Sequence, residues 1–224
     1  MFNSLYFGLV LSLVLYFSMD FLKKWIKSSV FNPLLVSSLL IILILSLLKI
    51  DYSAYNESAQ WLHFMLTPAT IVLAVPLYQQ FKLLQDHTFI ILIGVLSGVI
   101  TSLVSVYLLS LLFNLDTTMM ITLLPKSITA AIAIGVANEY QGIVTITLAA
   151  VIITGITGNV IAVPVCKFFG IKHPIARGIA IGTSSHVIGT TKAMEMGEVE
   201  AAMSSLSIVV AGLTTVILLS FILK

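Results

Sequence analysis

Leucine, isoleucine, valine and phenylalanine recur here in runs as long as a lipid bilayer is thick, and that constrains the fold more than any other feature. A helix rises 1.5 Å per residue, so roughly 20 apolar residues cross the hydrocarbon core. Runs of this kind cover residues 3–19, 30–48, 61–81, 89–113, 142–165 and 201–223. In lipid, backbone groups must pair within the protein, and such runs achieve this as helices. Strands of a barrel would alternate polar and apolar residues, and these runs do not. Composition agrees: 59% of the chain is apolar without counting glycine, and 9% is charged, against about 25% charged in soluble domains. A soluble chain this small would lack the polar residues to cover its surface.

The expected fold is therefore all-α and polytopic, a single integral membrane domain over residues 1–224 with six to eight transmembrane helices. Residues 1–87 form its N-terminal helices and 88–224 its C-terminal part. Residues 1–19 carry no charge and the lysines follow, the pattern of a first spanning helix and not of a cleaved leader. The net charge of +2 gives no footprint for nucleic acid. The single cysteine, Cys166, excludes an intrachain disulfide and reads as a small buried hydrophobe. No metal or cofactor is expected, since no Cys or His pair has ligand spacing and no glycine-rich phosphate loop follows a strand. Nor is an enzyme expected: Ser185 and His186 are adjacent, and adjacent side chains diverge on a helix.

Two apolar segments are interrupted. Residues 119–138 contain Pro125 and Lys126, and residues 174–194 contain Arg177, His186 and Lys192. Both carry a similar pentapeptide, AIAIG at 131–135 and GIAIG at 178–182. Paired, broken hydrophobic segments point to a transporter's midplane site. The distribution of basic residues gives an orientation. Lys23, Lys24 and Lys27 place the loop after the first run inside, as do Lys82 and His87. Asp116 falls outside, and Lys167, Lys172, His173 and Arg177 fall inside. Two full crossings between Asp116 and Lys167 would violate this, so residues 119–138 are expected to enter the membrane and turn back.

Lys126 is the most informative residue. A charge at membrane depth costs about 2.5–3.5 kcal/mol on insertion scales, so it needs water, a partner or a ligand. Three readings stand: snorkelling to the outer interface, an anionic substrate, or a pair with Glu139. In the second broken segment, Thr183, His186 and Thr190 fall on one face of a helix, beside a small-residue face of Gly178, Gly182, Ser185 and Gly189. His186 is either a hydrogen-bonded packing residue or a substrate and proton-coupling group. Arg177 reads as an inner-interface residue. Thr67, Pro68, Thr70 and Pro76 mark either a simple kink or a broken helix along a solute path. The candidate substrate contacts are thus Lys126, Ser127, Thr129, Thr67, Thr70, Thr183, Ser184, His186 and Thr190. The candidate breaks are Pro68, Pro76, Pro125 and Gly182. Asn159 reads as interhelical glue, and Glu195, Glu198 and Glu200 as solvated acids at a helix start.

Four pieces of sequence carry a family resemblance: NPLLVS at 32–37, PATIVLAVPLY at 68–78, LLPKSIT at 123–129, and PIARGIAIGTSSHVIGTTKAMEMGEVEAAMSSL at 174–206. The chain resembles the LrgB/CidB family of bacterial membrane proteins, termed antiholin-like or holin-like. PKSIT and SHVIGTTKAMEMG lean towards its CidB-like members. The resemblance implies a multi-pass protein of the bacterial cell membrane and two functions. One is modulation of murein hydrolase activity and cell lysis with a small LrgA/CidA-type holin-like partner. The other is carriage of small monocarboxylates such as pyruvate, glycolate or glycerate, as in plastidal glycolate/glycerate translocator relatives. It also implies a fold similar to cation/proton antiporters and bile-acid symporters, with inverted repeats and broken helices, although this chain is shorter than those ten-helix proteins. A lone chain of 24.3 kDa offers little scaffold, so a homo-oligomer or partner subunit is expected. The carrier reading is favoured, because a lysis modulator gives no reason for a lysine in one broken segment and a histidine in the other.

Overall fold

The computed structural model describes residues 6–26, 31, 33–65, 68, 71, 78 and 81–223, and no strand occurs among them. The chain forms two compact units, Met1–Val72 and Leu73–Lys224.

The first unit contains α1 (Phe7–Lys23), α2 (Pro33–Leu47), α3 (Tyr52–Ser58) and α4 (Gln60–Phe64). Asp51 caps α3 by accepting from the Ser53 amide. The first turn of α1 is served from outside itself. Its Gly8 amide donates to Ser58 Oγ at 2.8 Å, and Ser12 Oγ lies 2.8 Å from the Tyr55 hydroxyl. The absence of a Cβ at Gly8 permits this, since one would meet the Tyr55 carbonyl and Ser58 Oγ.

The second unit contains α5 (Phe81–Leu112), α6 (Thr117–Leu123), a 3-10 turn (Leu124–Ser127), α7 (Ala130–Glu139), α8 (Val144–Phe168), α9 (Pro174–Met196) and α10 (Glu198–Ile222). Among the described residues, three helices are long and apolar enough to cross a membrane: Gln85–Leu112, Val144–Phe168 and Glu198–Ile222. Their outer faces carry exposed side chains such as Ile152 at 40%, Leu213 at 61% and Phe221 at 72%, a surface suited to acyl chains. The core lies between the helices, around Val95, Val99, Ala133, Val151, Ala202 and Met203.

Both interrupted segments double back. Asp116 caps α6 by accepting from the Met119 amide. After Pro125, which cannot donate to a helix, Ile128 and Thr129 are extended and α7 starts afresh. The chain then returns to where it came from. The Ile143 amide donates to Thr122 Oγ1 at 2.8 Å, and the Thr147 hydroxyl donates to the Thr122 carbonyl at 2.9 Å. A straight helix from Thr122 to Gly142 would separate those residues by about 30 Å. Residues 117–139 are therefore a helical hairpin with its tip at 125–129.

The same reasoning applies to α9. A straight helix would put Gly178 about 28 Å from Gly197. Yet a Cβ on Gly178 would lie 3.1 Å from the Glu200 Cα, and one on Gly189 would lie 3.4 Å from the Ile181 carbonyl. The reversal is at His186, whose φ of 42° and ψ of −141° are not helical. Gly182, the expected break, is helical instead. Its missing Cβ lets the first arm of the hairpin press against the backbone of α10 at Ser204. A close-packing glycine and a hinge glycine look identical in sequence, and the neighbour decides between them.

Helix α8 joins the two hairpins. Its first turn lies against Thr122 in the first, and its last leads through residues 169–173 into the second, so the hairpins insert from opposite ends of the bundle. Gly94 and Gly98 of α5 let that helix cross the second hairpin against Ile179 and Thr183.

Candidate functional site

The hairpin tips meet beside a cavity of about 1140 Å³ in the second unit. One end, lined by His87, Cys166 and His173, is formed by the ends of α5, α8 and the α9 entry. At the other, Lys126 and Ser127 of the first tip stand with Thr183, Ser184 and Ser185 of the second. Isoleucines 90, 153, 161, 175 and 179 make much of the wall between.

Lys126 is half-buried, and its ammonium donates to Ser127 Oγ at 3.1 Å. Ser127 Oγ lies 3.0 Å from Ser102 Oγ of α5, which fixes the tip against that helix. Among the described residues no carboxylate lies within ion-pair distance of Lys126, and Glu139 is at the exposed far end of α7. The ammonium can make three hydrogen bonds, so two donors remain for a ligand. Thr183 is 5% exposed and its Oγ1 has no hydrogen-bond partner. Ser184 Oγ donates to the Ala180 carbonyl at 2.7 Å and therefore accepts from Ser185 Oγ at 2.9 Å.

Of the expected substrate contacts, the cavity brings together Lys126, Ser127, Thr183 and Ser184. Thr129 does not line it; it precedes α7 with no side-chain cap. His186 does not line it either. The ring is 2 % exposed and its Nε2 lies 2.9 Å from the Val151 carbonyl of α8. A carbonyl only accepts, so this nitrogen carries the proton. Thr190 donates to the His186 carbonyl at 2.9 Å and so accepts from Ser204 Oγ at 2.7 Å. The single polar face expected for Thr183, His186 and Thr190 assumed an unbroken helix, and the reversal at His186 divides it. Thr67, Thr70 and Pro76 lie outside the described residues, and Pro68 is exposed.

Beyond the expected set, the cavity takes hydroxyls from Ser97, Thr101 and Ser102 of α5 and from Thr154 and Thr157 of α8. The α5 set was visible as three hydroxyls at i, i+4 and i+5 in an aliphatic run. Asn159 donates to the Ile188 carbonyl and to Thr191 Oγ1, holding α8 to the second arm of α9. Glu200 is not a solvated acid. It is 6% exposed, with an oxygen 3.9 Å from Arg177 Nη1, because the hairpin brings Arg177 back to the start of α10. Arg177 Nε also donates to the Ile171 carbonyl at 2.8 Å.

Helices of membrane length, lipid-suited outer faces and a polar-tipped cavity define a helical membrane protein. A model of the LrgB-like family matches residues 12–224, and the chain belongs to that family of bacterial membrane proteins. It is similar to "Antiholin-like protein LrgB" of Bacillus mycoides strain KBAB4, with 39% identity covering 96% of this chain and 94% of the relative. Proteins of the same name from Bacillus cereus strain B4264 and Bacillus anthracis strain CDC 684 / NRRL 3495 are 38% identical over the same shares. No solved structure matches the chain significantly.

Proposed function

We propose that the chain carries small monocarboxylates, with pyruvate, glycolate and glycerate as the substrate class, through the second unit. One observation carries the reading. Lys126 sits at a hairpin tip on the wall of a cavity, without an acidic partner among the described residues, and with hydroxyl-bearing residues of both hairpins and α5 around it. A cation held this way is costly unless it meets water or an anion. A carboxylate seated there would take the spare ammonium donors, and Ser127, Thr183 and Ser184 supply further hydrogen bonds. His186, packed on Val151, is left out of the solute contacts. The two hairpins inserting from opposite ends support an inverted-repeat reading with alternating access, and six to eight crossings within one membrane domain. An LrgA/CidA-type partner or self-association completes the assembly on this reading.

Uptake of labelled pyruvate and glycolate into proteoliposomes, with and without the partner subunit, tests it. Saturable uptake that Lys126→Ala abolishes, with the variant folded, is the expected result. Unchanged uptake in that variant removes the anion seat. The second reading is an antiholin-like regulator of murein hydrolase activity and lysis, favoured by the names of the relatives. It is distinguished by leakage of unrelated solutes without saturation, or by no flux together with altered lysis.

A further inference from the structure

Away from the hairpin tips the cavity wall changes character in step along three helices. On α5 the lining runs from Ser97 to Ile90, on α8 from Thr157 to Val165, and on α9 from Thr183 back to Ile175. Beyond the hydroxyl-bearing residue that starts each stretch, only glycine, alanine, isoleucine and valine line it among the described residues. The stretches lie side by side. A Cβ on Gly94 would lie 3.2 Å from the Ile179 side chain, and Ala162 shares a core cluster with Ile181. Each stretch is about 10–12 Å of helix. A three-carbon acid seated at Lys126 spans about 4 Å and leaves most of this aliphatic belt empty.

Given the anion seat at Lys126 proposed above, on which this rests, we infer that the same site binds monocarboxylates with an unbranched apolar chain of about six to eight carbons, and binds them more tightly than three-carbon acids. The carboxylate sits on Lys126 and the chain lies along the belt. C–C bonds of about 1.5 Å advance an extended chain by about 1.25 Å per carbon, so eight carbons span about 9 Å. A mostly apolar wall with a few polar groups at one end orients such a ligand. A hydroxyl or second charge on the tail would lose its hydration against the belt without gaining a partner. Fully burying a methylene tightens binding about four-fold. Ile90 and Ile153 of the cavity wall are 61% and 64% exposed, so the cavity is open on one side and half that free energy, about two-fold per methylene, is expected.

Binding of tritiated butyrate, hexanoate and octanoate to the full chain in nanodiscs of zwitterionic lipid, read by scintillation proximity against empty nanodiscs, tests it. Octanoate is expected to bind about fifteen-fold tighter than butyrate, and Lys126→Ala to abolish saturable binding of all three. Ala180 lines the cavity with its side chain exposed, one turn from Ser184. In Ala180→Phe the ring fills the belt there, and octanoate should fall to within about three-fold of butyrate. Saturable butyrate binding with no rise towards octanoate overturns the tail and leaves the anion seat standing. No saturable binding of any of the acids overturns both. A rise that survives Lys126→Ala is partition into lipid and overturns the proposal, as does an undiminished rise in Ala180→Phe.

Discussion

Replacing Gly182 by alanine tests the hairpin packing directly, because the added methyl has nowhere to go. An ideal Cβ there would lie 2.8 Å from the Ser204 Cα and 2.9 Å from its carbonyl carbon, and would collide with the carbonyl oxygen. All three are backbone atoms of α10, so no side chain can swing aside. Restoring ordinary contact near 3.4 Å with the carbonyl oxygen, the nearest of the three, means moving the first arm of α9 away from α10 by about 1 Å. Overpacking of this kind costs about 1–3 kcal/mol, and rigid neighbours put Gly182 near the upper end. Alanine recovers about 1 kcal/mol of helix propensity, leaving a net loss of about 2 kcal/mol. Gly135 in α7 is the control, since nothing lies within 4 Å of a Cβ built on it; Gly135→Ala should gain about 0.5–1 kcal/mol. Thermal unfolding in detergent reads both. For a chain of this length, Gly182→Ala should lower Tm by about 4–8 °C while Gly135→Ala raises it slightly. Shifts of the same sign and size would refute the account of α9 as a hairpin pressed on α10.

Three further outcomes follow from the site. At His186 the left-handed φ favours a residue without Cβ, so His186→Gly should lose the bond to Val151 and the ring's packing on Gly155 but relieve the strain, while His186→Ala loses the same contacts and keeps the strain. Alanine should be less stable by about 1 kcal/mol in the same unfolding assay, and equal stability counts against strain at the tip. Arg177→Ala leaves Glu200 buried with its paired charge gone and should destabilise by about 2–3 kcal/mol, and adding Glu200→Gln should recover part of the loss. A double variant no better than the single one removes the coupling. Ser102→Ala frees the Ser127 tip and should raise the KM for carboxylate uptake several-fold with little change in Tm; an unchanged KM separates Ser102 from the anion seat.

Much of the helical architecture was legible because hydrophobic run length is a local property. The first break was legible too, since Pro125 cannot continue a helix and Lys126 cannot sit in acyl chains. In the second segment an interruption was legible, at Gly182, but not its place at His186. The residues around His186 include neither proline nor an adjacent glycine, and the reversal depends on partners far away in sequence: the Val151 carbonyl, and Gly155 and Gly158, where a Cβ would run into the His186 ring and Ser185. The same blindness hid the burial of Glu200, which local pattern reads as a helix-start acid and only the fold brings to Arg177. The cavity hydroxyls of α5 and α8 were passed over for a related reason. Serines and threonines in apolar helices commonly bond their own backbone, as Thr101 does with the Ser97 carbonyl, and sequence does not say which face a cavity.

Among the described residues Lys126 is the only lysine, arginine or carboxylate on the cavity wall, and on the carrier reading that has an electrical corollary. A monoanion seated on it leaves the travelling tip neutral, whereas the empty tip bears one positive charge. Moving one elementary charge through 100 mV is worth about 2.3 kcal/mol. Voltage would then act on the return stroke and not on the loaded one, and an inside-negative potential would hold the vacant lysine on the cytoplasmic side.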